Sequence, residues 1–395
     1  MLNPVDDILL DEIEEKPVLK TKPGFFSEIE KVPKVFMQPY YPSLDGLRAV
    51  SIILVVVFHV IIAFSHVAPA LDSPVNYSFA SLGVQIFFVI SGFLITTLLL
   101  KEKVSKGNIS LKHFYIRRFF RIVPVAYLYL VVILVLNFVL KLHLNMFITA
   151  AGFLFFRNVF EKVPMNDNIT GHYWSLAVEE QFYLIFPVIL KKSLRLYLYL
   201  LIFIISTSFL ISLAGGDIIT KLSANFYLNI IIIAISQFQG IAIGSFFSVA
   251  IFKNWISFDR TKNRFLKVSG MVLAVILLSL YTGQYFSAIN FLKCLCVATV
   301  LAMNLYADNN VIFRLLNNKA MKYIGVLSFS IYIWQQPFTL GLRFFNQSSF
   351  FKRFDDKLLV DIVVMVALLV VLSIVSYVSY NFYEKRFLKL KARFK

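Results

Sequence analysis

Cysteine and acidic residues are scarce in this 395-residue sequence, and each scarcity excludes a class of protein. The two cysteines, Cys294 and Cys296, lie two positions apart in one apolar run, so on a helix they point to different faces. This spacing argues against a disulfide framework, and no metal site is expected. The 22 acidic residues are outnumbered by 39 Lys and Arg. Because the cations lie in short loops between apolar runs, the positive charge does not indicate nucleic-acid binding.

The amino terminus lacks the basic-then-apolar layout of a cleavable signal peptide. Residues 1–41 are polar, acidic and interrupted by prolines, which is typical of a mobile tail. We therefore predict a cytoplasmic tail over 1–41, an integral-membrane domain over 42–390 and a short basic tail over 391–395.

Apolar residues make up 59% of the chain, and Phe alone contributes 42 residues. Soluble domains contain about 45–50% apolar residues, and several runs here approach the roughly 20 residues that cross a bilayer. The sequence predicts an all-α, polytopic transmembrane helical bundle with about ten spans. We place these spans at roughly 46–66, 80–100, 122–141, 173–190, 195–214, 227–250, 268–284, 288–306, 323–343 and 360–383.

The distribution of Lys and Arg predicts the orientation of the bundle. Loops 101–121, 191–195 and 252–267 are basic, whereas loops 67–79 and 285–287 contain no Lys or Arg. Basic loops stay on the cytoplasmic side, so both termini are predicted to be cytoplasmic. The sequence has no convincing internal repeat, which argues against a transporter built from two halves.

One apolar segment, residues 144–156, is too short to cross a bilayer. Counting it as a span would also place the basic loop 191–195 outside. We predict a short re-entrant or interfacial piece here.

Arg48 and His59 lie eleven residues apart on one apolar stretch. Eleven residues at about 100° each place both side chains on one face, about 16 Å apart along the axis. If Arg48 marks the membrane edge, His59 lies near the middle of a hydrocarbon core about 30 Å thick. An ionisable group at that depth predicts a functional site; the alternative is a core histidine bonded to a backbone carbonyl.

Ser91, Glu179 and Glu180 are predicted to reach the same depth as His59 when residues are counted from the nearest cytoplasmic lysines. A histidine, a hydroxyl and carboxylates at one level suit proton transfer. The alternatives are close helix packing by the small pair at Ser91 and a structural ion pair for the two glutamates.

Arg118 and Arg121 share a helix face at the mouth of the third span. Arginine binds phosphate through a planar fork of donors, which predicts an anion site. Positive-inside topology and lipid headgroup contacts are the alternative explanation.

Several of these segments, in this order, resemble motifs of the membrane-bound acyltransferase 3 family. The resemblance extends over roughly residues 40 to 390 and rests on 44–48 (LDGLR) with 58–59 (FH), 91–94 (SGFL), 118–121 (RFFR), 174–179 (WSLAVE) and 325–334 (GVLSFSIYIW). Two positions depart from the family pattern: Gln335 replaces a usual histidine after Trp334, and Arg386 replaces a usual proline.

The resemblance implies a catalytic site built from His59, Arg48, Ser91 and Glu179. It implies that Arg118 and Arg121 bind coenzyme A, with acyl-CoA, expected to be acetyl-CoA, as donor and no metal. For substrate binding we predict Trp174 and Glu180; the alternative for Trp174 is an interfacial anchor. Whether His59 acts as general base or carries the acyl group is left open.

The function implied is an integral-membrane O-acyltransferase of the bacterial cytoplasmic membrane. It moves the acyl group to a hydroxyl of a cell-envelope glycan or exported glycoside. The expected partners are membrane lipid, the acceptor and acyl-CoA, but no nucleic acid. The enzyme hands the acyl group to its acceptor either alone or through a separate extracytoplasmic acyl acceptor protein. The alternative is a proton-coupled transporter or a glycan-export component with a proton relay at His59 and Glu179.

Overall fold

The computed structural model describes residues 24–38, 40–64, 69–141, 143–160, 169–213, 225–258, 263–281, 286–306, 310–347 and 357–394, and within them it contains helices and no strand. The α-helices are α1 (Lys34–Met37), α2 (Leu44–Ala63), α3 (Pro74–Lys106), α4 (Leu111–Leu140), α5 (Met146–Phe153), α6 (Tyr173–Lys192), α7 (Leu194–Leu213), α8 (Phe226–Phe252), α9 (Arg264–Leu280), α10 (Phe286–Met303), α11 (Val311–Leu316), α12 (Lys319–Gln347), α13 (Lys357–Val378) and α14 (Lys385–Lys391). A π-helical segment, Ser379–Glu384, joins α13 to α14.

Six helical stretches among the described residues are long and apolar enough to cross a membrane. They lie in α2, α3, α4, α7 and α8 and along the last helix from Leu359 to Lys391. The remaining predicted spans also fall on helices, but α6 and α12 are more polar, and α9 and α10 are shorter. The all-α membrane bundle is therefore confirmed, whereas the count of about ten spans stays a prediction.

The outer surface of the bundle is apolar. Phe138 on α4 is 86% exposed, Leu184 on α6 is 64% exposed and Val363 on α13 is 60% exposed. Large side chains of this kind on a continuous surface are unfavourable in water but suit contact with lipid.

The short apolar segment at 144–156 forms α5, a helix of 8 residues. The Asn145 side chain caps it by accepting hydrogen bonds from the amides of Phe147 and Ile148. At about 1.5 Å per residue, α5 is much shorter than a bilayer is thick. Its placement as a re-entrant or interfacial piece stays a prediction.

Close helix crossings fix the register of the core. Helix α2 packs against α3 and α12, and α3 packs against α8. Where α2 meets α3, the Ser51 hydroxyl donates a hydrogen bond to the Gly83 carbonyl. Where α3 meets α8, a Cβ at Gly92 would collide with the Ile241 carbonyl oxygen. Only glycine permits that approach, so the Ser91-Gly92 pair does serve helix packing as well.

Residues 24–38, which belong to the predicted tail, pack onto the ends of the bundle. Phe36 is fully buried and stacks on Phe252 with ring centroids 4.7 Å apart. The Lys253 ammonium donates to the carbonyl oxygens of Gly24 and Ser27 at 3.2 and 2.6 Å. Residues 1–23 lie outside the described residues, and mobility of the tail stays a prediction.

Candidate active site

A cavity of about 100 Å³ lies inside the bundle between α2, α3, α4, α6 and α12. Below we call it the arginine cavity. Most of the predicted site residues line it, namely Arg48, Ser91, Arg118, Arg121 and Glu179. Its other walls are Val84, Phe87, Phe88, Ile122, Ser175, Leu176, Tyr183, Ser328, Phe329 and Tyr332.

The Glu179 carboxylate is held by two hydroxyl groups. Ser91 donates to Oε1 at 2.8 Å, and Tyr183 donates to Oε2 at 3.3 Å. Tyr183 lies one helical turn after Glu179, so both project from one face of α6. These bonds orient the carboxylate and offset part of the cost of burying its charge.

The three arginines of the cavity differ in their partners. Arg48 donates to Asp45 at 3.1 Å, and Asp45 also accepts a bond from Tyr40 at 3.2 Å. The guanidinium carbon of Arg118 lies 5.3 Å from the centroid of the Tyr183 ring, and that of Arg121 lies 5.6 Å from the Phe329 ring.

Among the described residues, neither Arg118 nor Arg121 has a hydrogen-bond or ion-pair partner on the protein. Ring stacking orients their guanidinium groups while leaving the donor forks free. The lining holds three arginines and one carboxylate, and the charges of Glu180 on Arg118 and of Glu384 on Arg121 act from outside the lining. The lining itself therefore carries net positive charge and can accept an anion.

The neighbouring Arg117 points elsewhere. It donates to the Phe394 carbonyl at 2.8 Å and lies 3.4 Å from a Glu102 carboxylate oxygen. The cluster of three basic residues at 117, 118 and 121 is therefore divided: one arginine is bound by the protein, and two line the cavity.

His59 does not line the arginine cavity. Its Nδ1 lies 2.6 Å from the Val55 carbonyl oxygen, one turn earlier on α2. Because a carbonyl only accepts, this contact places the proton on Nδ1 and leaves Nε2 as an acceptor. This contact is the backbone bond of a core histidine, the alternative explanation for His59, and it leaves Nε2 able to accept a proton.

The predicted common depth of His59 and Ser91 is wrong. Phe58 stacks on Phe79 with ring centroids 4.9 Å apart, and Phe79 precedes Ser91 on α3 by twelve residues, about 18 Å of helix rise. Because α2 and α3 run antiparallel, Arg48 rather than His59 reaches the level of Ser91. The register follows from the contact between Ser51 and Gly83, which residue counting from loop lysines does not detect.

Trp174 lies apart from the other predicted residues, whereas Glu180 is near two of them, because its carboxylate interacts with the charges of Arg118 and Glu179. The Trp174 ring meets Phe88 edge-on at 5.9 Å and faces a second cavity. Glu180 lines neither of these two cavities, and its Oε1 is buried with no hydrogen-bond partner among the described residues.

The structure also gives contacts to residues for which the sequence predicts no role, on the cavity wall and next to it. Ser175 and Tyr332 are hydrogen-bonded at 2.5 Å on the cavity wall, and Tyr332 also donates to the His172 carbonyl at 2.9 Å. Glu384, buried in the π-helical segment, accepts a bond from the Ser330 hydroxyl. A glutamate that ends the last apolar run was a signal available for this contact, and π-helical turns are frequent at functional sites.

The two departures from the family pattern lie outside the arginine cavity. Gln335 is fully buried and its amide is occupied by Gln336 at 3.0 Å and Thr339 at 3.2 Å. Arg386 is exposed on α14. Among the described residues, no group of three His, Cys, Asp or Glu is arranged to hold a metal ion.

A helical membrane bundle whose interior cavity is lined by three arginines and one positioned carboxylate defines a class of membrane protein with a site that could accommodate an anion. The sequence matches the family described as "Acyltransferase domain" over residues 41–381, most of its length, and the chain belongs to that family. The resemblance seen in the motifs is confirmed.

The chain is also similar to named bacterial enzymes. It is 36% identical over 174 residues to the peptidoglycan O-acetyltransferase OatA of Listeria monocytogenes, a match that covers 40% of this chain and 26% of the relative. It is 32% identical over 181 residues to the O-acetyltransferase OatA of Staphylococcus aureus, covering 42% of this chain and 28% of the relative. The matches thus span about a quarter of the length of these relatives. No solved structure matches the chain.

Proposed function

We propose that this protein transfers an acyl group, with acetyl as the expected one, from acyl-CoA to a hydroxyl group of a cell-envelope glycan. The observation that supports this most strongly is the pair of free guanidinium forks in the arginine cavity. Membership of the acyltransferase family and the names of the two relatives agree with it.

Arg118 and Arg121 bind the phosphates of the donor in this proposal. Each presents parallel N–H donors that match phosphate oxygens, and stacking on Tyr183 and Phe329 limits the orientations of the two groups before binding. Arg48, held by Asp45, adds positive charge from α2. Glu179, fixed by Ser91 and Tyr183, supplies the one negative charge of the cavity and limits how an anion can sit there.

His59 is the group that handles the proton. Its Nε2 accepts the proton of the acceptor hydroxyl as the oxygen attacks the thioester carbonyl carbon. A C–O bond forms, the C–S bond breaks, and the thiolate of coenzyme A leaves and takes up the proton. In the alternative route Nε2 attacks the thioester carbonyl carbon, so that an N–C bond forms, the C–S bond breaks and the thiolate leaves. The hydroxyl oxygen then attacks the same carbon, the N–C bond breaks, and the hydroxyl proton passes to the thiolate. In either route, an extended pantetheine arm bridges the roughly 16 Å of helix rise between Arg48 and His59.

The cellular arrangement follows from the charge of the loops. The protein lies in the bacterial cytoplasmic membrane with both termini inside, acyl-CoA enters from the cytoplasm and the glycan or glycoside acceptor approaches from outside. Within this proposal the acyl group reaches the glycan either directly or through a separate extracytoplasmic acyl acceptor protein.

The test is the release of free thiol from acetyl-CoA by purified full-length protein in lipid vesicles, with and without a glycan acceptor. Acyl transfer predicts acceptor-dependent thiol release. Proton-coupled flux across the vesicle membrane without cleavage of the thioester would instead support a transporter and reject the proposal.

A further inference from the structure

A second cavity, of about 320 Å³, lies between α3, α6, α7, α8 and α10. Its lining is rich in amide and hydroxyl side chains and includes the rings of Trp174 and Phe88. We call it the amide cavity, and the polar residues used below are Ser81, Gln85, Ser212, Gln239 and Asn290. Its volume lies at the lower end of the range for small-molecule sites.

The amide cavity and the arginine cavity are neighbours. Val84 and Phe88 line both, so these two side chains form a shared wall. On α3 the amide cavity uses Ser81 and Gln85, which precede Ser91 by one to three turns. A ligand in the amide cavity therefore lies beyond the arginines, toward the helix end that is predicted to face outward.

Two amide oxygens in this lining lack protein partners. Among the described residues, Gln85 Oε1 and Asn290 Oδ1 are buried and accept no hydrogen bond. The nitrogen of the Gln85 amide is occupied, because it donates to the Ser81 hydroxyl at 3.2 Å. A buried acceptor without a hydrogen-bond donor costs free energy, so the cavity is suited to a ligand that supplies hydroxyl donors.

The other lining residues narrow the ligand class. Gln239 donates to Ser208 at 3.2 Å, which leaves its amide oxygen as a further acceptor beside the Ser212 hydroxyl. None of the described lining residues is Asp, Glu, Lys or Arg, so the lining offers a phosphate or carboxylate no direct counter-charge. The buried Lys293 ammonium next to the lining residue Cys294 is directed to the Ser78 hydroxyl at 3.1 Å. An acyl chain would leave the amides unpaired, whereas a sugar presents hydroxyl groups at its edge and C–H groups on its face, which suit an indole ring.

We infer that the amide cavity binds a neutral sugar unit of the acceptor, with Gln85 and Asn290 accepting its hydroxyl protons and Trp174 against its ring. The identification of the sugar as part of the acceptor rests on the proposed function, but binding of the sugar can be tested without any reaction. It gives Trp174 a role on an interior wall shared with Asn290, in place of the alternative of an interfacial anchor.

The experiment is calorimetric titration of the full chain in detergent with the tetrasaccharide of N-acetylglucosamine, a neutral probe. Gln85→Met and Asn290→Leu remove one acceptor each at similar volume and should weaken binding by about tenfold or more. Gln38→Met is the matched control, because Gln38 donates to the Leu305 carbonyl outside both cavities. Coenzyme A titrated into the Gln85→Met protein should bind as it does to the wild type.

The outcomes separate this inference from the proposed function. No binding of the tetrasaccharide to the wild type, or equal binding to the Gln85→Met and Gln38→Met proteins, would overturn the inference even if thiol release proves acyl transfer. Loss of coenzyme A affinity in the Gln85→Met protein would also overturn it and assign the cavity to the donor. Sugar binding that depends on Gln85 and Asn290 would support it even if no thiol is released.

Discussion

The clearest prediction concerns the three arginines at 117, 118 and 121, which are near neighbours in sequence but not in environment. Arg118→Ala and Arg121→Ala should each weaken binding of coenzyme A, whereas Arg117→Ala should leave it unchanged within about twofold. The reason is that Arg118 and Arg121 line the arginine cavity with free forks, while Arg117 is bound to Phe394 and Glu102.

The magnitude follows from what each fork contributes. A hydrogen bond to a charged group contributes about 1.5–3 kcal/mol, and each 1.4 kcal/mol corresponds to about a tenfold change in affinity. Each alanine variant should therefore raise the dissociation constant by about 10- to 150-fold. Arg118→Lys keeps the charge but loses the planar fork and much of the stacking on Tyr183, so it should fall between alanine and the wild type.

The assay is isothermal titration calorimetry of each purified variant with coenzyme A, and thermal unfolding checks that each protein is folded. Equal affinity losses in all three alanine variants would refute the division of the cluster, because they would indicate a diffuse electrostatic effect. Unchanged coenzyme A affinity in the Arg118→Ala, Arg121→Ala double variant would indicate that these arginines serve membrane topology and lipid contact rather than donor binding.

Three further predictions test the core, the carboxylate and the orientation. Gly92→Ala should lower the thermal unfolding midpoint in scanning calorimetry, because the added Cβ meets the Ile241 carbonyl. Gly270→Ala is the control, since Gly270 has open space around it and the midpoint should not fall. Equal midpoints would contradict the close crossing of the two helices. Ser91→Ala removes one of the two hydroxyl donors to Glu179 and should slow labelled acetyl transfer by about tenfold in a folded protein, while wild-type rates would deny the bond a role. In a background without Cys294 and Cys296, Ser73→Cys should react with an impermeant thiol reagent on intact cells and Ser105→Cys should not; labelling at 105 would invert the topology.

Much of the fold was accessible from the sequence, because apolar runs of about 20 residues leave few alternatives to a helical bundle. The number of crossing helices was less accessible. Helix α6 carries Glu179, Glu180 and Gln181 within its apolar stretch, and such a helix is recognised by its packing rather than its hydropathy.

Part of the candidate site follows from the sequence, because the rise per residue of a helix predicts the depth of each side chain. Ser91 and Glu179 were placed at one level by counting, and the structure joins them at 2.8 Å. The same counting failed for His59, since helix register depends on contacts such as Ser51 with Gly83 that carry no recognisable pattern. The contacts of Tyr332 and Glu384 do not follow from the motifs, because their partners, Ser175 and Ser330, come from distant parts of the chain.

In the proposed reaction an acyl group passes from a cytoplasmic donor to a glycan outside, along a path that includes His59. The most direct measurement uses sealed right-side-out vesicles with acetyl-labelled acetyl-CoA trapped inside and a glycan acceptor outside. Labelled glycan should appear outside the wild-type vesicles, and none should appear with His59→Ala protein that is folded and still binds coenzyme A. Labelled glycan at the wild-type rate with His59→Ala, or labelling only when acetyl-CoA is added outside, would contradict this path.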